Sequence, residues 1–382
     1  MQTPKGMRDF LPEDMIIRNY VNQVIESTFR NYGYLPLETP AMEYLTTLRA
    51  KAGAEVDKQI FVIEGNELGL RFDLTVPFAR VVATNTFPKP FKAYTIGSVW
   101  RKEEPQRGRY REFWQAEIDI FGSKSMRSDA EILAVTVDVI KKLGFEDPLL
   151  DKLDKLGEEE VKKQMEGVIG ENGVKELFDL IKTKGTNEQR LKSVEKLAPE
   201  AVRELREIVG FCNFQVEVDF SLVRGLGYYT GAVFEVKLSD KLGSVAGGGR
   251  FDNLLAIYGQ GDYATGIGIG IERLIVLMKE LKKAGAGKTY TKVLVAAAKP
   301  EFYKDAVRIA AELREGGVSA EVDLNERNLK KQFDYANALS IPFVAIIGER
   351  EIKEKLITLR NMNDGKEEKV ALKDAIKILV AE

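Results

Sequence analysis

The chain has no histidine among its 382 residues. An imidazole general base, a Ser-His-Asp triad, a histidine-ligated zinc ion and a histidine pH switch are therefore all excluded. Any chemistry must use carboxylates, Lys, Arg, Tyr, backbone amides or a metal ion held by oxygen atoms.

Cysteine and long apolar runs are also scarce. The single cysteine, Cys212, permits neither an intramolecular disulfide nor a thiolate metal cluster. No uninterrupted apolar stretch is long enough to span a membrane. The first ten residues lack the apolar core and the cleavage site of a secretory signal, so we expect a cytoplasmic protein with no membrane partner.

Charge of neither sign dominates, because 57 Lys and Arg residues stand against 59 Asp and Glu residues, for a net charge of −2. Any nucleic-acid partner would have to bind a local basic patch.

Length and local composition predict several domains. In residues 148–212, Lys, Glu and Leu dominate and apolar residues recur every three or four positions, which predicts a helical insertion. Beyond a linker-like stretch, strands and helices alternate in a βαβαβ order, which predicts a mainly parallel α/β domain. The expected segments are 1–147 (first part of a main domain), 148–212 (insertion), 213–281 (its second part), 282–291 (linker) and 292–382 (C-terminal domain).

Shorter patterns predict individual elements. Residues 93–101 and 113–121 are typical of strands, and apolar alternation at 214–220 predicts another strand that continues to residue 236. A capping box at 128–131 predicts a helix that runs to about Leu143 and ends at Gly144.

The strand at 113–121 has one chemically unusual face. Because side chains alternate across a strand, Gln115, Glu117 and Asp119 share a face with Phe113. Such a face fits either the solvated side of an antiparallel sheet or a binding surface. The adjoining segment favours binding, because it places cations suited to phosphate beside these carboxylates, which are suited to an ammonium group. The cations are Arg101, Arg107, Arg109 and Arg111.

Glycines flank three further arginines. Residues 266–273 (GIGIGIER) do not have Rossmann spacing, but as a strand they put three glycines on one face. A bare glycine face admits a flat ligand against the backbone, and close packing of another element is the alternative. Arg273 at the end of this strand could bind a phosphate. Arg224 and Arg250 also adjoin glycines, and three such sites in one chain are hard to ascribe to packing alone.

These segments together carry a family resemblance. Arg101 and Glu103 with residues 108–113 (GRYREF) resemble motif 2 of class II aminoacyl-tRNA synthetases, residues 266–273 resemble motif 3, and Pro40 matches the motif 1 proline. Within that class, residues 222–231 (LVRGLGYYTG) and 247–252 (GGGRFD) are similar to the two signatures of histidyl-tRNA synthetases. The resemblance covers nearly the whole chain.

The resemblance implies a fold of the α/β (α+β) class. It consists of a catalytic domain with an antiparallel sheet flanked by helices, a helical insertion and a C-terminal α/β anticodon-binding domain. It also implies ATP-dependent activation of L-histidine to histidyl-adenylate and transfer to tRNA(His), which is the activity expected of a histidine–tRNA ligase. Mg²⁺ would enter with ATP, and no metal ligands of the protein's own are expected.

The resemblance also implies residue roles. Arg224 and Arg101 would be catalytic, at the α-phosphate of ATP. Glu103 would bind the adenine side, Phe113 would stack on adenine, and Arg109 and Arg273 would bind the β- and γ-phosphates. The implied histidine-binding residues are Asp73, Thr75, Gln115, Asp119, Arg224, Tyr228 and Tyr229.

The sequence departs from the family pattern at three places. Phe251 stands where the glycine-rich signature usually ends in Tyr, and Gly227 stands where the family often carries Asp. After Asp147 the chain enters the insertion within a few residues, where the family normally has a further strand and helix.

Two other functions fit parts of the pattern. A paralogue of the family is a histidine-binding regulatory subunit of ATP phosphoribosyltransferase, but it typically lacks the C-terminal module and the ATP-contacting arginines, which this chain keeps. A synthetase-like RNA-binding or sensor module is the third possibility.

The resemblance further implies partners for this chain. Motif 1 would form a homodimer through residues 35–41. In the C-terminal domain, we hypothesise contacts to the anticodon stem from Arg327, Lys330, Lys331 and Gln332.

Overall fold

The computed structural model describes residues 2–50, 57–106, 108–145, 175, 179, 182–222, 226–239, 243–281 and 287–381. The chain forms two compact units. The first comprises Met1–Asp9 and Tyr20–Lys283, and the second comprises Phe10–Asn19 and Ala284–Glu382. Within the described ranges, no helix combines the length and the apolar character needed to cross a membrane.

The first unit is built on an antiparallel sheet. Its strands are β1 (Leu35–Pro36), β2 (Met42–Tyr44), β3 (Leu68–Leu70), β4 (Phe91–Trp100), β5 (Glu112–Phe121), β6 (Val233–Lys237), β7 (Ser244–Arg250) and β8 (Ala264–Gly270). Six of them form the main sheet in the order β1-β4-β5-β8-β7-β6, and β2 pairs with β3. Only the short β1–β4 pair in this sheet is parallel.

Helices and a short 3₁₀ turn at Leu255–Ile257 complete this unit. They are α1 (Pro12–Asn31), whose residues up to Asn19 belong to the second unit, α2 (Leu45–Arg49), α3 (Thr75–Thr84), α4 (Met126–Lys142), α5 (Asn187–Val194), α6 (Pro199–Phe211) and α7 (Ile271–Glu280). Both α4 and α7 contact β5, the strand with the polar face. The opposite face of β5 is buried at Ala116, Ile118 and Ile120, as the alternation predicts.

Helix α4 begins earlier than the capping box predicts. Ser125 is the N-cap, and its hydroxyl accepts from the backbone N–H of Arg127. The predicted cap, Ser128, instead donates to the Ser123 hydroxyl. Gly144 ends the helix with a φ of +83°, which favours glycine over other residues.

The strand predicted at 214–220 does not form. Asn187 on α5 donates to the Val216 carbonyl and accepts from the Val218 N–H, and Arg190 donates to the Val218 carbonyl. These side chains take the backbone groups that a neighbouring strand would pair with. Val218 instead packs with Leu191 of α5 in a small cluster, so the apolar alternation is used without a sheet.

The described part of the predicted insertion is helical. Helices α5 and α6 lie in it, with Thr186 and Gln189 forming a capping box at the start of α5. Its first part, up to residue 174, and residues 282–286 of the predicted linker lie outside the described residues.

The second unit is an α/β domain. Its strands are β9 (Val293–Ala297), β10 (Ala320–Val322), β11 (Phe343–Ile347), β12 (Ile357–Asn361) and β13 (Glu367–Val370), and its helices are α8 (Tyr303–Glu315), α9 (Leu329–Ala338), α10 (Glu349–Glu354) and α11 (Leu372–Ala381). The sheet order is β10-β9-β11-β12-β13. The parallel pairing of β9 with β10 and β11 confirms the βαβαβ order, but the β11–β12 and β12–β13 pairs are antiparallel, so the sheet is mixed and not mainly parallel.

Candidate functional site

The polar face of β5 lies over the glycines of β8. In the register of the two strands, Asp119 is opposite Gly266 and Glu117 is opposite Gly268. A Cβ atom on Gly266 would stand 1.7 Å from Asp119 Oδ1, and one on Gly268 would stand 2.6 Å from Glu117 Oε2. The glycines therefore make room for the carboxylates. The carboxylates partly fill the bare glycine surface on which the sequence predicted that a flat ligand could lie.

The start of α3 adds polar groups to this face. Thr75 Oγ1 donates a 2.5 Å hydrogen bond to Glu117 Oε1. Asp73 Oδ1 accepts from the Val76 N–H at 3.1 Å, and Asp73 Oδ2 accepts from the Tyr228 hydroxyl at 3.3 Å. Four side chains from three separate segments thus converge in one buried polar cluster, which we call the pocket.

The two tyrosines of the signature lie side by side. Their ring centroids are 4.8 Å apart, and Tyr228 is buried whereas Tyr229 is only partly so. The Phe251 ring packs edge-on against Tyr228 and is itself buried. The position at which the family usually has Tyr is therefore an apolar wall here.

Asp119 is a buried carboxyl group that lacks a partner. Its side chain is fully buried, and neither oxygen has a hydrogen-bond partner among the described residues. Burial, with the charges of Glu117 and Asp73, holds the pKa of Asp119 well above its ordinary value. A buried acceptor without a donor is costly, so this group fits a ligand that brings an N–H.

Two neighbours of Asp119 are also buried polar groups, one without a described partner and one with hydrogen bonds to both oxygens. Gln115 Oε1 is also buried without a described partner. Burial raises the pKa of Asp73 to about 6, although the Val76 amide, the Arg101 charge and the Tyr228 hydroxyl oppose the shift.

Three arginines form a cationic region in the same unit. Arg101 Nε donates to the Phe72 carbonyl, and its guanidinium carbon lies 5.1 Å from the centre of the Phe113 ring. Arg109 Nε is 2.7 Å from Glu103 Oε2, and Arg273 donates to the Ser244 carbonyl. Burial and the positive charges of Arg109 and Arg101 lower the pKa of Arg273. Such mutually repelling cations fit a ligand with several negative charges, such as a polyphosphate.

Of the three glycine-flanked arginines, Arg273 belongs to this cationic region, and the other two differ from it. Arg224 lies outside the described residues. Arg250 is not an anion site, because it is buried, forms an ion pair with buried Asp129 and donates to the carbonyl oxygens of Ser123 and Ser125. The glycine-flanked pattern therefore has a structural role at Arg250, which joins β7 to the start of α4.

Sequence reasoning missed two carboxylates. Glu117 was assigned to the polar face without a role, and the period-two alternation was the only signal for it. Glu272 accepts a 2.8 Å hydrogen bond from the Trp114 N–H and is buried. Its position directly before Arg273 in the sequence does not indicate that its carboxylate accepts a hydrogen bond from the backbone of β5.

The hypothesised anticodon-stem residues divide into two pairs. Lys330 and Lys331 are exposed at the start of α9. Gln332 is buried, and its amide donates to the carbonyl oxygens of Ala297 and Arg327, so the expected RNA contact is wrong for this residue. Arg327 pairs with Asp323 and lies over the Tyr335 ring.

No metal centre is evident in the part of the chain that the structure describes: no group of three or more Asp, Glu or Cys side chains converges closely enough to hold an ion.

The burial of Asp119 without a hydrogen-bond partner predicts how a substitution there changes the free energy of unfolding. We expect Asp119→Asn to raise the free energy of unfolding of the first unit by about 1–3 kcal/mol at pH 8, because an amide cannot ionise, whereas the fold must either bury the Asp119 charge or hold its carboxyl group protonated. The pKa of Asp119 is raised on folding, so the native carboxyl destabilises increasingly as pH rises from the unfolded pKa of about 4 towards the folded pKa. The gain should therefore vanish below about pH 4.

Urea unfolding followed by tryptophan fluorescence measures this, since both tryptophans, Trp100 and Trp114, lie in the first unit. Exposed Glu64→Gln is the matched control and should change stability by less than about 0.5 kcal/mol. An equal effect of Asp119→Asn at pH 4 and pH 8 would contradict the argument.

Comparisons with known proteins agree on one family. A family model described as Histidyl-tRNA synthetase matches residues 6–209 and 146–274, and one described as Anticodon binding domain matches residues 292–382. The chain is 39% identical over 420 residues to a histidine–tRNA ligase of Aeropyrum pernix, with 98% of this chain and 96% of the relative covered. A Clostridium tetani histidine–tRNA ligase is 35% identical over 425 residues, with 98% and 97% covered. Each aligned length exceeds 382 residues, so both relatives carry residues that this chain lacks.

Solved structures match over the whole chain. A histidyl-tRNA synthetase from Nostoc sp. superposes with a TM-score of 0.86 at 26% identity, covering 100% of this chain and 99% of the other. A Staphylococcus aureus histidyl-tRNA synthetase superposes with a TM-score of 0.73 at 22% identity and 99% coverage of both chains, which supports the fold alone. The expected fold class is confirmed, and the chain belongs to the histidyl-tRNA synthetase family.

Proposed function

We propose that this protein is a histidine–tRNA ligase that activates L-histidine with ATP and transfers it to tRNA(His). The observation that carries the proposal is the buried, unpartnered Asp119 in a polar pocket, in the same unit as the Arg101–Arg109–Arg273 cluster. In the first step a carboxylate oxygen of histidine attacks the α-phosphorus of ATP and pyrophosphate leaves. This step needs no protein base, so a chain without histidine can perform it.

The pocket divides into two parts in this proposal. Asp73, Thr75 and Gln115 bind the α-ammonium group of histidine, and Asp119, Tyr228 and Tyr229 bind the imidazole ring. An imidazole needs a partner for each ring nitrogen when it is buried. Because the pocket's own acceptors would stay unpaired beside an apolar side chain, the pocket rejects other amino acids of similar size.

The arginine cluster binds ATP in this proposal. Arg101 binds the α-phosphate, Arg109 and Arg273 bind the β- and γ-phosphates, Glu103 binds the adenine side, and Phe113 stacks on the adenine ring. Fixed guanidinium groups stabilise the charge that develops as pyrophosphate leaves. Mg²⁺ enters with ATP. The catalytic role of Arg224 beside Arg101 rests on the sequence match, because Arg224 lies outside the described residues.

The regulatory-subunit alternative is less well supported. A Bacillus halodurans structure described as an ATP phosphoribosyltransferase regulatory subunit/histidyl-tRNA synthetase superposes with a TM-score of 0.68, but at 21% identity this likeness concerns the fold alone. The match of residues 292–382 to an anticodon-binding domain and the retained arginine cluster both favour the ligase.

Amino-acid-dependent exchange between ATP and pyrophosphate tests the activation step. Run with each of the twenty amino acids, it should proceed with histidine alone and fall at least about 100-fold in Arg224→Ala. Exposed Arg203→Ala, on α6, is the matched control and should retain wild-type exchange. Histidine binding without any exchange would reject the ligase in favour of the regulatory paralogue.

We propose that the second unit binds the anticodon stem of tRNA(His) through Lys330 and Lys331. Both ammonium groups are exposed at one helix start, where they can reach phosphate oxygens. Lys330→Glu/Lys331→Glu should raise the KM for tRNA and make aminoacylation less sensitive to salt, because phosphate contacts release counterions. Lys373→Glu/Lys377→Glu, an exposed pair on α11, is the charge-matched control. If both pairs behave alike, the proposed contact is wrong.

We propose that the protein is a homodimer that uses the motif 1 region. Leu35, Met42 and Tyr44 are exposed by 58%, 51% and 65%, and β1 is an edge strand of the main sheet. Exposed apolar side chains and a free strand edge are each typical of an association surface.

Sedimentation at micromolar concentration should give the mass of a dimer, and Leu35→Glu/Tyr44→Glu should give that of a monomer. Leu197→Glu replaces another exposed leucine of the same unit and should remain a dimer. A wild-type monomer would reject the proposed homodimer.

A further inference from the structure

Glu117 is the one carboxylate of the pocket to which the proposed function gives no task. It lies on β5 between Gln115 and Asp119 and is 4% exposed. Its Oε1 atom accepts the 2.5 Å hydrogen bond from the Thr75 hydroxyl, and its Oε2 atom occupies the space above Gly268. The absence of a side chain at Gly268 permits this position, so the local sequence accommodates a buried glutamate.

The hydrogen bond to Glu117 fixes the direction of the Thr75 hydroxyl. A hydroxyl has one hydrogen to donate and two lone pairs that accept. When the hydrogen is committed to a carboxylate, a strong acceptor, only the lone pairs remain for a ligand. Thr75 therefore presents an acceptor to whatever binds beside it.

A second acceptor competes for the same hydrogen. The hydroxyl groups of Thr75 and Tyr228 also interact, and the Tyr228 hydrogen is donated to Asp73. Without the carboxylate of Glu117, the Thr75 hydrogen is free to turn towards the Tyr228 oxygen or into the pocket. A hydrogen that points into the pocket would repel an ammonium group.

We infer that Glu117 is a positioning residue that holds the Thr75 hydroxyl as an acceptor for the α-ammonium group of the amino-acid substrate. The inference rests on the proposed function, in which Thr75 binds that group. It gives the histidine pocket a recognition element that acts on the amine and not on the imidazole ring.

Two ligands that differ only in the amine separate this role from a structural one. They are L-histidine and 3-(imidazol-4-yl)propionate, which keeps the ring and the carboxylate but lacks the α-amino group. We expect Glu117→Gln to weaken L-histidine binding by roughly 10- to 100-fold, because the amide oxygen is a weaker acceptor than the carboxylate and the amide can instead turn its NH₂ group towards Thr75, which leaves the Thr75 hydrogen free to point into the pocket. Binding of the propionate should change by less than about twofold.

Calorimetry on the full chain measures both affinities. Asp138→Asn is the matched control, because Asp138 also accepts from a hydroxyl, that of Tyr32 at 2.8 Å, on α4. It should leave both affinities unchanged. Equal loss of both ligands in Glu117→Gln, or no loss of either, would overturn the inference.

Thr75→Val keeps the inference testable if Glu117→Gln does not fold. It removes the hydroxyl and preserves the shape, so it should produce the same selective loss. In a folded double variant, Glu117→Gln should add no further loss of histidine affinity to Thr75→Val, because the two residues act as one unit. Additive losses would overturn the inference. Failure of the wild-type chain to bind histidine would overturn the proposed function and the inference with it.

Discussion

The structure depends on placing buried carboxylates over glycines. Asp119 and Glu117 on β5 occupy space that side chains on Gly266 and Gly268 of β8 would otherwise fill. Because neither oxygen of Asp119 has a described hydrogen-bond partner, the sheet carries a cost that a bound ligand can offset. A buried group that lowers the stability of the fold in this way is typical of a functional site, where activity and stability oppose each other.

Polar contacts from the surrounding fold connect this arrangement to its neighbours. The buried ion pair of Arg250 with Asp129 links β7 to α4, and Thr265 on β8 also donates to Asp129. Glu272 holds the Trp114 amide at the start of β5. These polar contacts join the strands that carry the carboxylates to the helices that contact them. The local register is therefore fixed from both ends of β5 and β8.

Much of this arrangement is predictable from sequence. Period-two alternation identifies the polar face of β5, and the motifs identify the family and the fold class. The strand expected at 214–220 fails because Asn187 and Arg190, far from it in sequence, satisfy its backbone groups. Alternation reports which side chains are buried and does not report which groups pair with the backbone.

The assignment of Arg250 shows the same limit for the site. A glycine-flanked arginine is a suitable anion ligand, but its ion pair with Asp129 depends on two segments that meet only in three dimensions. The Glu117–Thr75 hydrogen bond likewise joins residues 42 positions apart in the sequence. Local patterns name the residue types of a site, whereas the tertiary fold decides which of them remain free to bind a ligand.

The most direct test of the account is a crystal structure of the protein with histidine and a non-hydrolysable ATP analogue bound. The account predicts an imidazole nitrogen within about 2.7–3.2 Å of an Asp119 carboxylate oxygen and phosphate oxygens at the guanidinium groups of Arg101, Arg109 and Arg273. An imidazole ring bound elsewhere, with Asp119 still lacking a donor, would contradict it.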